Sequence, residues 1–252
     1  MRESKEILIT PVKGIGRIKK GDDLTEVIFA ALKKSGRGLR DNDILVVAQK
    51  IVSKSEGRLV KLGGVLPTAA AERLAKELGK DPRVVELILR ESRRIVRKGH
   101  GVLITETHHG FVCANSGIDT SNVEEGYAAL LPEDPDGSAK KIRKKLEKAT
   151  GKKLAVIITD TFGRPWREGQ ADMAIGCSGI APFQALVGRR DPYGYVLKVT
   201  APAVVDEVAS AAELVMTKLS MVPVALVRGV KYMKSESGVK SMVRESSLDL
   251  FR

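Results

Sequence analysis

LAVIITDTFGR, residues 154–164, runs apolar from Leu154 to Ile158, then presents Thr159, Asp160 and Thr161 before a glycine and an arginine. An unbroken apolar run of this length reads as a strand covered on both faces. A second β-branched stretch, ILVVAQKIVS at 44–53, predicts another strand, and residues 6–12 and 222–227 predict two more. Two further β-runs, 183–188 and 195–200, flank the turn sequence DPYG at 191–194. Residues 101–112 read as a hairpin around His108-His109-Gly110.

Helices are predicted between these strands. Asp22-Asp23 opens one that reaches Lys34, and Pro67-Thr68 opens another that stops at Gly79. Asp81-Pro82 starts a helix whose apolar residues run from Val84 to Val96, with Arg93, Arg94, Arg97 and Lys98 crowding its end before Gly99. Residues 136–151 carry a narrow stripe of Ala139, Ile142, Leu146 and Ala149, and a last helix starts near Val204. Strands and helices mix without strict βαβ alternation. The expected class is therefore α+β, mixed sheets with flanking helices. No repeat or linker divides the chain, so residues 1–230 read as a single unit followed by a polar, loose extension at 231–252.

The chain has 252 residues, 43 basic against 31 acidic, for a net charge of +12. That balance favours anionic partners such as nucleotides or phosphorylated substrates. Aromatic residues make up 4%, which argues against base-stacking platforms for single-stranded nucleic acid. Residues 138–153 hold eight Lys or Arg, which suits either a nucleic-acid surface or a solvated face. No apolar run approaches the ~18 residues of a membrane span. The start, MRESKEILITPV, lacks the apolar core of a signal peptide. Two cysteines without a CxxC point to the reducing cytoplasm.

Candidate chemistry gathers at the strand ends. Asp160 and Thr161 offer hard oxygens for Mg²⁺ or Mn²⁺, or Asp160 caps a turn. The loop NSGIDTSN at 115–122 is an ordinary polar loop unless Asp119 joins Asp160 on one ion. No P-loop or dinucleotide fingerprint occurs, but Gly14 and Gly16 either make a tight turn or let backbone N–H groups approach phosphate. Gln49, Lys50 and Lys54 sit inside an apolar run, where lysine is an edge residue or a ligand contact. His108 and His109 read as a turn, since neighbours on a strand face opposite ways.

Taken together, GDDLTEVI, SKSEGR, ANSGIDTSNVEEG, LPEDPDGSAKKIR, VIITDTFGRPWREG, AIGCSGI and VPVALVRG resemble the coenzyme F420-0:L-glutamate ligase family. The resemblance implies a GTP-dependent ligase using Mg²⁺ or Mn²⁺, with K⁺ as an accompanying ion. It would add L-glutamate to coenzyme F420-0 through an acyl phosphate, in a homodimer of two intertwined lobes. By position, Asp119, Asp160 and Thr161 match the metal ligands, and Asp119 and Asp160 carry the reaction. Asn122, Gln49, Lys50, Lys54 and the backbone of Ile15, Gly16, Arg17 and Ile18 match nucleotide contacts. Arg164, Arg167 and Arg189 are candidate contacts for the substrate phosphodiester. One stretch departs: MTKLSMV at 216–222 has neither the glycine nor the acid of the family loop. Lys218 stands where a metal-binding residue is expected, which implies one divalent ion, with Lys218 against nucleotide phosphate. The other readings are a related carboxylate–amine ligase with a different substrate or nucleotide, and a non-catalytic nucleic-acid-binding protein.

Overall fold

The computed structural model describes residues 6–250. Its centre is a five-stranded sheet built from β1 (Leu8–Pro11), β2 (Ile44–Ala48), β8 (Ala155–Arg164), β9 (Arg167–Ser178) and β10 (Val224–Arg228) in the order β1-β10-β2-β8-β9. Only β2 and β8 run parallel; the other neighbours are antiparallel. The 154–159 run is covered on both faces as its composition requires. On one side Val156 and Ile158 pack with Leu45 and Val47 under α1 (Leu24–Lys34) and α5 (Pro135–Thr150). On the other, Ala155 and Ile157 pack with Ile44 and Val46 under α6 (Val204–Glu213). Each such fully buried aliphatic side chain contributes roughly 1.5–3 kcal/mol.

Between β2 and α5 the chain builds a second, smaller body. It contains α2 (Gln49–Glu56), β3 (Leu59–Lys61), α3 (Ala69–Leu78), α4 (Pro82–Arg90), β4 (Ser92–Gly99), β5 (Val102–Thr107), β6 (Val112–Ala114) and β7 (Tyr127–Ala129). Strands β4-β5-β6 form one sheet and β3-β7 another. Ala71, Ala75, Val85 and Ile88 of the helix pair close over Leu103. The whole is an α+β fold with mixed and antiparallel sheets. Among the described residues no helix is long and apolar enough to cross a membrane.

Helix ends follow the capping chemistry. Asp23, Thr68 and Asp81 accept backbone N–H groups at the starts of α1, α3 and α4. Gly79 and Gly151 end α3 and α5 in the left-handed region. Gly176 has a different reason to be glycine: a Cβ there would overlap the Pro135 backbone, so its absence lets α5 lie close on β9.

Four expectations are corrected. The 44–53 strand stops at Ala48, and Gln49 begins α2. The helix from Asp81 ends at Arg90; residues 92–99 leave it to pair with β5 across a two-residue turn. His100 (φ 48°) and Gly101 (φ 73°) supply the two positive dihedrals that a type I′ turn needs, a long-range pairing invisible to helical periodicity. Residues 183–188 and 195–200 are not strands; one isolated bridge, Arg190–Val196, reaches only the second of them. The polar segment after residue 230 is fastened rather than loose: Val239 is buried, and its N–H donates to Asp136.

Candidate active site

The register pair Ala48–Thr159 puts the start of α2 beside Asp160, at the C-terminal ends of the two parallel strands. Strand ends of this kind are where α/β sheets collect ligands. No side chain caps the N-terminus of α2, so its first N–H groups have no side-chain acceptor. Lys50 and Lys54 project from its first two turns. Lys50 Nζ donates to Asp119 Oδ2 (2.7 Å) and the Ser121 carbonyl (2.8 Å); Lys54 Nζ donates to the Asn122 carbonyl (2.9 Å). The two lysines thus clamp the 115–122 loop onto α2.

That loop is fixed by its own chemistry. Asp119 exchanges backbone hydrogen bonds with Ala129, and the Ser116 hydroxyl donates to the Ile88 carbonyl. Gly117, at φ 69°, has Leu131 where a side chain would go. Ser121 donates from its backbone to Asp119 Oδ1 (2.6 Å) and from its hydroxyl to Oδ2 (3.0 Å). Burial works to raise the Asp119 carboxyl, but the bonds from Lys50 and Ser121 prevail and hold it below the usual carboxylate range.

Asp160 is the opposite case. Desolvation pushes its carboxyl up to about 7, and the charges of Asp172 and Asp119 push the same way against the Thr161 N–H and Lys50. Thr161 alternates to the other face of β8, where its hydroxyl donates to Asp172 Oδ1 (2.7 Å). Asp172 is itself raised, first by burial and then by Glu213, whose carboxylate accepts the Asp172 N–H. Asp119, Asp160 and Asp172 therefore form an acidic group with less cationic compensation than it needs.

Residues 14–18 pass α2 near Lys54. Ile15 and Ile18 are buried in the core, which leaves Gly16 and Arg17 outward beside the helix. Arg17 and Lys50 both act on Lys54, whose pKa falls through burial first and these charges second. Gln49 takes the Ser53 hydroxyl on Oε1, while its Nε2 is buried without a partner among the described residues. Asn122 Nδ2 donates to the Lys218 carbonyl (3.4 Å), bringing the 217–221 turn to the cleft.

The predicted residues are thus gathered, with exceptions. Arg164 and Arg167 face each other at the tip of the β8–β9 hairpin, about 13 Å along the strand from Asp160. Arg189 lies in the 183–201 loop, its N–H bonded to the Leu186 carbonyl. His108 and His109 sit on the β5–β6 turn, bonded to main-chain carbonyls. Sequence reading missed Asp172 and Glu213. The polar half of β9, REGQAD, hid the strand that sets Asp172 opposite Thr161.

The carboxylate oxygens of Asp119 and Asp160 fit a hard divalent cation, whereas the Thr161 hydroxyl, expected to join them, is turned to the other face of β8 and bonded to Asp172. Among the described residues, no three His, Cys, Asp or Glu side chains are grouped to hold an ion unaided. One or two carboxylates completed by phosphate oxygens is what Mg²⁺ takes at phosphate sites. The unpartnered Gln49 Nε2 and the uncapped helix start suit an anionic, hydrogen-bonding ligand.

The profile of the F420-0:Gamma-glutamyl ligase family matches residues 14–229. A Methanothermobacter thermautotrophicus protein named coenzyme F420:L-glutamate ligase is 47% identical over 249 residues, covering 98% of this chain and 99% of its own length. Proteins of the same name from Methanopyrus kandleri and Archaeoglobus fulgidus are 44% and 39% identical, covering 97% of this chain in each case, with 97% and 96% of their own lengths. With its Asp119–Lys50 clamp and its strand-end acids inside the matched span, the chain belongs to the F420-0:γ-glutamyl ligase family.

Proposed function

We propose that the protein joins L-glutamate to coenzyme F420-0 in a GTP- and divalent-metal-dependent reaction that passes through an acyl phosphate. The observation that carries this reading is the meeting of α2's uncapped N-terminus and Lys50 with Asp119 beside Asp160, in a chain that matches named ligases along nearly its whole length.

A carboxylate oxygen of the substrate attacks the γ-phosphorus, and the bond to the departing GDP oxygen breaks. The amine of glutamate then attacks the acyl carbon and phosphate leaves. Positioning and charge supply most of the acceleration in such transfers. Lys50 and Lys54 are placed to hold phosphate oxygens against the N–H groups of α2, with Gly16 and Arg17 beside them. Gln49 Nε2 is a donor for the nucleotide. Asp119 and Asp160 would hold Mg²⁺ or Mn²⁺, which when bound neutralises phosphate charge.

Mass spectrometry tests this directly. The full chain incubated with F420-0, GTP, Mn²⁺ and L-glutamate should yield F420-0 heavier by a glutamyl residue, with GDP and phosphate released. A glutamyl product formed equally well without nucleotide, or none with every reactant present, rejects the reading.

A further inference from the structure

The end of the central sheet remote from Asp160 carries a cavity of about 210 Å³ whose charged lining is entirely cationic. β1 is the edge strand, and its antiparallel register with β10 sets Leu8 opposite Arg228 and Thr10 opposite Leu226. Alternation along each strand puts these four residues on one face of the sheet. Leu226 belongs to the core under α1, so this is the α1 face. The loop leaving α1 covers it with Arg37, Arg40 and two glycines, Gly36 and Gly38. Nothing lies within 4 Å of where a Cβ would stand on either glycine, so the loop presents bare backbone there. Asp43, beside the cavity, is five residue steps from Ala48 at the start of α2, or ~17 Å of strand.

Arg228 is set in place by a buried acid. Its Nε donates to Asp43 Oδ1 and its Nη2 to Asp43 Oδ2, both at 2.7 Å, and Nη2 also reaches the Gly38 carbonyl at 3.0 Å. Asp43 is 1% exposed, and its Oδ2 takes the Arg40 N–H as well, at 2.7 Å. The pairing fixes the guanidinium, offsets its charge and leaves Nη1 without an acceptor among the described residues. Arg37 and Arg40 are not offset. Both are exposed, and among the described residues neither side chain meets a carboxylate; Arg37 Nη1 has the Thr10 hydroxyl, at 3.4 Å. Asp41, next in the chain, accepts the Lys153 N–H and does not line the cavity. The cavity is left with a local charge of about +2.

We propose that this cavity binds a small phosphomonoester, with its dianionic phosphate between Arg37, Arg40 and Arg228 Nη1 and its organic part on Leu8 and Leu226. Guanidinium groups match phosphate oxygens in pairs, and two cations without counter-charges balance a dianion. A monocarboxylate brings half that charge. Leu8 is half exposed on the edge strand, and covering it gains apolar burial that inorganic phosphate does not supply. The volume lies below the ~300–1,000 Å³ of drug-sized pockets, which limits the ligand to a phosphate carrying one small group. The site is separate from the strand-end cleft, so it stands whether or not the protein is a GTP-dependent ligase.

Calorimetric titration of the full chain with phenyl phosphate, inorganic phosphate and benzoate tests this, at constant ionic strength and about pH 8, where the monoester is dianionic. Phenyl phosphate should bind with a Kd of about 1 mM or tighter, and the other two at least about fivefold more weakly. Arg37→Ala and Arg40→Ala should each weaken phenyl phosphate by at least about fivefold, whereas Lys50→Ala, in the cleft, should change it by less than about twofold. Affinity unmoved in either arginine variant, or lost in Lys50→Ala alone, places the phosphate elsewhere and overturns the proposal. Benzoate or inorganic phosphate binding as tightly as phenyl phosphate overturns it too, as does no phenyl phosphate binding below about 10 mM. If an arginine variant does not fold, Leu8→Glu sets a carboxylate beside the cations from an exposed edge position, and unchanged phenyl phosphate affinity there overturns the proposal.

Discussion

Lys50 Nζ stands 2.7 Å from Asp119 Oδ2, an ion pair that joins the first turn of α2 to a loop 69 residues away. It holds a partly buried carboxylate in its charged form at the end of the central sheet. Replacing Lys50 by Ala leaves that carboxylate without its main counter-charge and removes one of the two lysine clamps on the 119–122 loop. Ligase turnover should fall by more than about a hundredfold, near 2.7 kcal/mol of transition-state stabilisation. Burial then dominates at Asp119, so its pKa rises, and the acidic limb of the residual pH–rate profile should move to higher pH. A profile unchanged in shape would show that Lys50 does not control Asp119.

Asp160→Asn and Asp119→Asn should each abolish turnover with the circular dichroism spectrum unchanged, because each removes a charge placed to balance a cation. Asp160 adds a pH signature. With its carboxyl at about 7, an incoming cation must displace a proton below that pH. Mn²⁺ affinity, measured by calorimetry, should therefore tighten from pH 6 to pH 8, and Asp160→Asn should flatten that dependence. Stripping the metal with a chelator should stop product formation, and added Mn²⁺ should restore it.

The basic face of α5 is solvated. Lys140, Lys141, Lys144 and Lys145 are exposed, whereas Arg143 turns inward to the Ser178 hydroxyl and Glu236. Changing the four lysines together to Gln should alter kcat/KM by less than about tenfold, since screened charges remote from a site act mainly on encounter. A loss beyond about a hundredfold would place the helix in the site.

Asp206 tests the other face of the sheet. Its carboxylate accepts the Ala174 N–H at 2.9 Å, yet burial raises its pKa. A carboxyl raised in the folded state contributes stability below its unfolded pKa and loses it as pH rises through the folded value. At neutral pH the ionised group is therefore a cost. Asp206→Asn keeps the acceptor oxygen and removes the charge, so Tm at pH 7 should rise by ~2 °C, with the gain vanishing near pH 3. An equal gain at both pH values would trace the effect to something other than ionisation.

What the sequence revealed, and what it hid, follows from the range of the interactions. Asp23, Thr68 and Gly79 mark helix ends through contacts a few residues away, and all three are legible. The 154–159 run declares its burial by composition alone. The turn of β2 into α2 at Ala48 is not legible, because Ile51 and Val52 fit either a strand or a helix. The ribbon at 92–99 depends on partners in β5 that no local window contains. At the site, Asp119 and Asp160 stand out as acids after apolar runs. Asp172 and Glu213 join them only through the β8–β9 register and the packing of α6.

The 217–221 turn bears on how many ions the proposed metal site would take. Asn122 Nδ2 donates to the Lys218 carbonyl, so this turn borders the cleft beside α2, and the Lys218 charge acts on Asp172. A protonated lysine cannot ligate a hard metal, but it can pair with phosphate and replace part of an ion's charge. A flexible point charge does not fix geometry as a coordinated ion does, and without glycine the backbone of the turn has less freedom to approach phosphate. One divalent ion per site is the expected stoichiometry, with looser nucleotide selectivity than a two-ion cleft. A GDP-bound crystal soaked in Mn²⁺ should show one anomalous peak beside Asp119 and Asp160; two well-occupied peaks would refute the assignment. Lys218→Ala should weaken GTP binding about tenfold, or 1.4 kcal/mol, and leave the Mn²⁺ peak in place. If GTP affinity is unmoved, Lys218 does not touch phosphate, and the charge opposite Asp172 serves the fold alone.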